Sequence, residues 1–227
     1  MYSRHFSLLS IALACLLGSA TATADEKTAI LYSKANNQKI ELSIVSEDEL
    51  NDLFAELAGR TDIPHDFLWD GSWARAHRMV RILESKDIIA GKAFVEGEFY
   101  PDPRRSVSPQ MIEAGLTYHV APVLMVAKGK NVVPYIIDPS LFSGPVPQPL
   151  WKAKLLAKPK AKLTAEYYTN RYVIDVKDKN KKLTEYSDED LKEMQSTNRE
   201  FARALFMFEE PGCVVYLPAH QCPMKKK

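Results

Sequence analysis

The amino-acid sequence predicts an α+β fold, because its helical and strand-like segments come in separate groups along the chain. A helix is indicated after Ser46, where Glu49 completes a capping box and apolar residues follow at helical spacing. Two apolar runs, 116–127 and 132–137, flank the turn-forming sequence KGKN and predict a pair of strands. The chain has 227 residues, which is enough for one domain with a substantial core.

The elements before and after the first helix follow from similar patterns. Residues 30–32 and 39–45 favour strands, and the intervening KANNQ has the composition of a hairpin loop. The helix after Ser46 is expected to end near Gly59. A second helix is expected to begin around Ser72, with an apolar stripe formed by Trp73, Ala76, Val80 and Leu83.

Further strands and one long helix are predicted in the rest of the chain. Residues 92–100 favour a strand, and the prolines that follow it mark a long loop. The proline-rich segment 145–151 is expected to be extended, and 167–176 is a strand candidate. The longest helix is predicted at 187–208.

The first 24 residues have the pattern of a cleaved secretory signal peptide. A short N-terminal segment with one arginine precedes the apolar run FSLLSIALACLLGSA, and Ala22-Thr23-Ala24 has the small-x-small form of a signal-peptidase site. We therefore expect the chain to have three parts. Residues 1–24 are the signal peptide, and residues 62–227 are the main domain. Residues 25–61 form a hairpin and a helix, which are either a pro-segment or part of the domain. The protein is expected to be exported, to the periplasm or beyond.

The balance of charge argues against a polyanionic partner. The precursor has 30 basic and 29 acidic residues, and loss of the signal peptide removes only Arg4, which leaves 29 of each. Such a chain has no overall field that would favour nucleic acid or a membrane surface. We expect no nucleic-acid binding, no membrane span after signal cleavage, and a monomer.

Two cysteines, Cys213 and Cys222, remain after the signal peptide. An even count in an exported chain predicts a disulfide between them. A metal site is a weaker interpretation: His220 is near, but there is no second close Cys or His pair at zinc-ligand spacing. No metal and no cofactor is expected.

The segment DGSWARAHRM, residues 70–79, places Ser72 at the start of the second helix. Serine is a common helix cap, and this is one interpretation. The other is a nucleophile position, because the positive end of a helix stabilises an anion. The local sequence does not choose between the two.

A histidine and an aspartate lie on the two strands predicted to pair with each other. His119 interrupts the apolar strand YHVAPVLMV, and Asp138 ends the strand in YIIDPSLF. Opposed ends of a hairpin can bring an imidazole and a carboxylate together, and the carboxylate then fixes the ring tautomer. The alternatives are a core histidine with satisfied hydrogen bonds and an aspartate that caps the Asp-Pro turn.

The three segments together resemble the bacterial protein-glutaminase family, over about residues 62–151. DGSWARAHRM resembles the family's nucleophile motif, YHVAPVLMV its histidine strand, and YIIDPSLF with the later Trp151 its aspartate segment. The resemblance implies a papain- or transglutaminase-like core, in which a helix that carries the nucleophile packs on an antiparallel sheet. It assigns the nucleophile position to Ser72, the general base to His119 and the orienting carboxylate to Asp138. Arg75 and His77 match family positions too, and we assign them to support of the helix.

The resemblance also implies an activity. Members of the family deamidate glutamine side chains in proteins to glutamate and release ammonia through an acyl-enzyme. The partner implied here is a protein or peptide that bears glutamine. An amine in place of water at the second step would make the reaction an amide exchange instead.

Serine at position 72 departs from the family, which has cysteine there. A hydroxyl is far more basic than a thiol, so a site tuned for a thiolate is poorly suited to deprotonate it. We expect little or no deamidation by the chain as it stands. Three explanations of the serine stay open: an engineered substitution that traps an inactive enzyme, a natural serine in a weak or altered amidohydrolase, and an inactive family member that serves as an exported protein-binding module. Outside the family, the alternative is a structural or inhibitory domain in which Ser72 only caps a helix.

Overall fold

A computed structural model of the protein describes residues 27–63, 65, 71–100 and 115–186. In this part of the chain, seven strands form one mixed sheet that packs against three α-helices. The strands are β1 Thr28–Ser33, β2 Gln38–Val45, β3 Gly91–Phe99, β4 Leu116–Lys128, β5 Asn131–Ile136, β6 Val146–Pro147 and β7 Lys162–Thr169. The helices are α1 Glu47–Ala58, α2 Ser72–Glu84 and α3 Gln148–Leu155.

The sheet is centred on β4, which pairs with three other strands. The main strand order is β1-β2-β4-β3-β7, and β5 pairs with β4 and with β6. All of these pairings are antiparallel except the short one between β2 and β4, so the sheet is mixed rather than purely antiparallel. Strand β5 leaves β4 after the pair Ile136–Val123, so the preceding part of that edge of β4 has no strand partner among the described residues.

The two faces of the sheet have separate hydrophobic clusters. On one face, the β1–β2 hairpin and α3 pack on β3 and β4 around the fully buried Trp151. On the other face, α1 and α2 pack against the opposite side of β4, around Leu124 and Val126. The hairpin and the sheet therefore share one core, to which residues 29, 40 and 42 contribute.

The structure confirms the predicted α+β class and most of the predicted elements. The first helix begins after Ser46, whose side chain accepts a hydrogen bond from the Glu49 amide, as the capping box indicates. The hairpin, the second helix and the three strands predicted near 92–100, 116–127 and 132–137 lie within a few residues of their expected bounds. The signal peptide, the helix at 187–208 and the cysteine pair lie outside the described residues.

Two predicted elements are wrong. Residues 145–151 are not extended throughout: β6 is two residues long, and α3 begins at Gln148. Proline is tolerated in the first turn of a helix, because its missing amide would have no intrahelical acceptor there. The strand expected at 167–176 lies at β7 instead, because the Asn170 side chain accepts from the Tyr172 amide and turns the chain away.

The bulge that ends β3 makes a specific prediction about Gly97. Its φ is 154°, and a Cβ at this position would clash with the carbonyl oxygen of Lys162 on β7. We expect Gly97→Ala to lower the free energy of unfolding by about 3 kcal/mol or more, as measured by urea denaturation. Gly129→Ala is the matched control: φ is 61° there, but the space is open, so only the backbone cost of about 1–2 kcal/mol applies. Equal losses in the two variants would contradict the close approach at Gly97.

Candidate active site

Ser72 is the first residue of α2, but it does not cap the helix. The cap position belongs to Gly71, in a left-handed conformation with φ 105° that favours glycine. Ser72 is 8 % exposed, and its hydroxyl makes no hydrogen bond within the described part of the chain. The interpretation of Ser72 as a capping serine is therefore wrong.

The packing of α2 directs Ser72 towards the beginning of β4. Ser72 lies one turn before Ala76, on the same buried stripe as Val80 and Leu83. Along this stripe, Val80 and Leu83 share a cluster with the later part of β4, whereas Ala76 shares one with Val120. Continuing the stripe by one turn, about 5.4 Å, brings Ser72 to the end of β4 that carries His119.

His119 and Asp138 form a buried pair at that end of β4. The distance from His119 Nε2 to Asp138 Oδ2 is 2.8 Å, and the two side chains are 1 % and 5 % exposed. Asp138 follows β5 at the point where the chain leaves β4, and the Ile137 amide still bonds to the Pro122 carbonyl. The end of the hairpin thus brings the two groups together, as the sequence predicts.

The Asp138 carboxylate is held by further donors. Trp151 Nε1 donates to Oδ2 at 2.8 Å, so this oxygen accepts from both rings. The other oxygen, Oδ1, accepts from the Ser140 amide at 3.2 Å and from the Ser140 hydroxyl. Burial acts to raise the pKa of Asp138, but the charge and hydrogen bond of His119 and the bonds from Ser140 and Trp151 outweigh it and hold the pKa below its ordinary value. Asp138 is therefore ionised.

This arrangement fixes the orientation of the His119 ring. With Nε2 facing a carboxylate, the neutral ring carries its proton on Nε2, an assignment made from the hydrogen-bond geometry. The other nitrogen, Nδ1, is buried and has no hydrogen-bond partner in the described residues. In this tautomer Nδ1 carries a lone pair, which can accept a proton.

The structure brings two of the three predicted site residues into contact. Helix α2, which begins at Ser72, packs on the sheet face opposite to the one on which His119 contacts Trp151. His119 and Asp138 are in contact, and Ser72 lies at the same end of β4 without a hydrogen bond to His119. Such bonds between nucleophile and base are often longer in enzymes without substrate. The roles of Trp151 and Ser140 as donors to the carboxylate are not predicted from the sequence, although an Asp-Pro-Ser turn is typical of side-chain bonds of this kind.

His77 lies buried at a contact between α2 and β3. Its ring is buried on α2 with Nδ1 3.3 Å from Lys92 Nζ, and Lys92 also donates to the Val173 carbonyl at 2.6 Å. Burial, together with the positive charges of Lys92 and Arg81, lowers the pKa of His77 to about 2, so the ring is neutral. The buried Lys92 joins β3, α2 and the segment after β7, a connection that the sequence did not predict.

The described residues contain no group of three or more His, Cys, Asp and Glu side chains that could hold a metal ion. They also contain no helix that is long and apolar enough to cross a membrane.

Loss of the indole donor should weaken the fold measurably. Trp151→Phe keeps an aromatic ring in the core but removes one hydrogen bond to a buried carboxylate. We expect the free energy of unfolding to fall by about 1.5–3 kcal/mol, as measured by urea denaturation with circular dichroism. Trp73→Phe, at a half-buried indole without a bond to Asp138, is the control and should lose less. If Trp151→Phe were as stable as the parent, the indole hydrogen bond to Asp138 would not contribute to stability, and the prediction would be contradicted.

The lowered pKa of Asp138 has a consequence for stability in acid. Because the folded state holds this pKa below its unfolded value, the charged group stabilises the fold above the unfolded pKa of about 3.9 and ceases to do so as the pH falls. We expect the stability advantage of the parent over Asp138→Asn to shrink from about pH 5 downwards. Urea denaturation between pH 7 and pH 2 measures it, with the exposed Asp52→Asn as control. If the free energies of unfolding of the parent and of Asp138→Asn changed with pH in parallel, the lowered pKa of Asp138 would be contradicted.

Comparison with known proteins gives a consistent result. A glutaminase family model matches residues 48–155. The NMR structure of protein-glutaminase from Chryseobacterium proteolyticum superposes with a TM-score of 0.59 at 24 % identity, covering 72 % of this chain and 90 % of that one. A crystal structure of protein-glutaminase gives 0.57 at 23 % identity, covering 75 % and 95 % of the two chains. At such identities the likeness shows the fold.

A crystal structure of pro-protein-glutaminase is similar as well, with a TM-score of 0.58 at 25 % identity, over 70 % of this chain and 58 % of that one. No curated protein matches the sequence. The family match includes α1, α2, the His119 strand and the Asp138 turn, and it ends with α3. These findings confirm the resemblance that the sequence predicted: a glutaminase family model matches residues 48–155, and the fold is similar to that of protein-glutaminase structures.

Proposed function

We propose that this domain binds glutamine side chains of polypeptides at Ser72, His119 and Asp138, and that it is an exported deamidase impaired by serine at the nucleophile position. The observation that supports this most strongly is the buried His119–Asp138 pair with an unpartnered Nδ1, at the end of β4 where α2 begins. The family and the fold support deamidation of protein glutamine as the reaction type.

Each group has a role in that reaction. The nucleophile at position 72 gives its proton to His119 Nδ1 and attacks the carbonyl carbon of the glutamine side chain. The resulting oxyanion is stabilised by the amides of the first turn of α2, which have no intrahelical acceptor. The carbon–nitrogen bond then breaks, and the imidazolium returns its proton to the leaving ammonia.

Water completes the cycle. It gives a proton to Nδ1 and attacks the acyl-enzyme carbon, which releases glutamate and restores the protonated nucleophile. Asp138 stays ionised throughout: it holds the Nε2–H tautomer and stabilises the imidazolium when it forms. Binding of the glutamine and the oxyanion does not depend on which atom is the nucleophile. The first proton transfer does, because the serine hydroxyl is much more basic than a thiol.

A single substitution tests the proposal. Ser72→Cys should release ammonia from glutamine-bearing protein well above the rate of the parent, because the thiol ionises more readily. Adding His119→Ala to that variant should lower the rate by about 10²–10⁴-fold. Ammonia release is measured with intact protein, peptide and free glutamine as substrates, and mass spectrometry of the product distinguishes hydrolysis from amine transfer.

Thr117→Cys is the matched control, because it places a thiol at an exposed position of β4 near the site but not at the start of α2. It should release no more ammonia than the parent. A folded Ser72→Cys protein that releases no ammonia from any of the three substrates would remove the enzyme interpretation. The remaining interpretation would then be a binding module.

A further inference from the structure

One row of the sheet joins the His119–Asp138 pair to β7. His119 on β4 pairs with Val95 on β3, and Val95 pairs with Glu166 on β7. Paired residues of antiparallel strands have their side chains on the same face. That face is the one on which α3 packs, because Val95 and Trp151 belong to the same hydrophobic cluster. Helix α3 therefore lies over a row that runs from His119 to Glu166.

Glu166 holds α3 through both of its carboxylate oxygens. Oε1 accepts a hydrogen bond from Gln148 Nε2, and Oε2 accepts one from Lys152 Nζ at 2.7 Å. Gln148 and Lys152 are four residues apart, so the two donors lie on the same side of the helix, one turn from each other. Two contacts spaced along a helix in this way fix its rotation about its own axis.

Helix α3 depends on such contacts because it is short. It has eight residues, and Pro147 at its cap position has no side chain that can accept a hydrogen bond. A helix of two turns is not stable on its own in water, so tertiary contacts decide where it lies. Trp151 lies between the two residues that bind Glu166, and its indole donates to Asp138 Oδ2 at 2.8 Å. The rotation of α3 therefore decides whether the indole reaches the carboxylate.

The contact at Glu166 is better suited to positioning than to stability. The side chains of Glu166 and Lys152 are 31 % and 32 % exposed, and ion pairs that face water contribute little to the free energy of unfolding. The Trp151 indole, in contrast, is fully buried, and its ring lies 5.8 Å from that of His119 between centroids. Loss of the ion pair would therefore change stability little, but it would free the helix to rotate at the buried hydrogen bond.

We propose that Glu166 is a positioning residue for the candidate active site. By holding α3 it keeps the indole N–H of Trp151 on Asp138. The carboxylate in turn keeps the His119 ring in the orientation and tautomer that leave Nδ1 as the proton acceptor. The inference rests on the proposed function for its effect on turnover, whereas its effect on the buried hydrogen bonds does not need turnover.

Hydrogen exchange followed by NMR tests the positioning in the chain as it stands. Glu166→Gln removes the charge that binds Lys152, and the Trp151 indole N–H should then exchange about tenfold faster than in the parent. The ¹⁵N chemical shifts of the His119 ring should move from those of the Nε2–H tautomer towards those of a mixture of the two tautomers. Amides of β4 near Leu124, in the cluster on the other face, should keep their exchange rates.

Glu96→Gln is the matched control. Glu96 on β3 binds Lys179 at 2.7 Å, and the two side chains are 25 % and 35 % exposed. Glu96 pairs with Tyr118, which packs in a cluster on the opposite face from Trp151. This variant loses a comparable ion pair away from α3, so the exchange of the indole and the shifts of the histidine ring should stay at the parent values.

Turnover is measured in the Ser72→Cys background. Adding Glu166→Gln should lower kcat for ammonia release by about tenfold or more and leave KM within about twofold, because Glu166 acts through α3 rather than on the substrate. Glu166→Lys together with Lys152→Glu exchanges the two charges and restores the ion pair. This double variant should recover kcat to within about threefold of the Ser72→Cys value, and the indole exchange and ring shifts with it.

The outcomes separate this inference from the proposed function. If Ser72→Cys releases ammonia but Glu166→Gln changes neither the indole exchange nor the ring shifts, the positioning role is overturned and the proposed function stands. Faster indole exchange with an unchanged kcat would overturn it too, as would an equal rise in exchange at the indole and near Leu124. If Ser72→Cys releases no ammonia but the indole and ring respond to Glu166→Gln and recover in the double variant, the positioning role stands and the catalytic proposal fails.

Discussion

The burial of one carboxylate, that of Asp138, constrains the rest of the structure. An ionised group removed from water is strongly destabilising unless donors surround it, and here the donors come from β4, from the turn after β5 and from α3. These elements must be docked at the same time for the charge to be accommodated. The candidate site is therefore built into the core rather than attached to it, and the tautomer of His119 is set by the same contacts that stabilise the fold.

The second constraint is the course of α2 across β4. An apolar stripe that follows helical spacing aligns the helix with the strand, and this stripe ends at Ser72. A left-handed glycine, Gly71, immediately before it lets the chain turn sharply into the helix. The start of the helix is thus positioned near the beginning of β4 by packing that occurs one to three turns away. The residues that the glutaminase family model matches include both Asp138 and α2.

Much of this could be predicted from sequence, because the signals are local. The capping box at Ser46 and the apolar stripe of α2 specify helices, and a hairpin with a histidine and an aspartate near its ends brings the two together. Other features depend on tertiary contacts that no local pattern records. The indole of Trp151 reaches Asp138 because α3 folds back onto the sheet, and Lys92 is buried because His77 and the Val173 carbonyl accept from it. The bounds of β7 cannot be read from the sequence, because its polar, alternating residues are a weak signal beside the more apolar YVIDV that follows.

The unused hydroxyl of Ser72 has a consequence for how the fold tolerates substitution. It neither caps α2 nor bonds to any described residue, so replacing its oxygen by sulfur removes no interaction from the described structure. The acidity of the group at this position can therefore change greatly while the contacts that hold α2 and the His119–Asp138 pair stay in place.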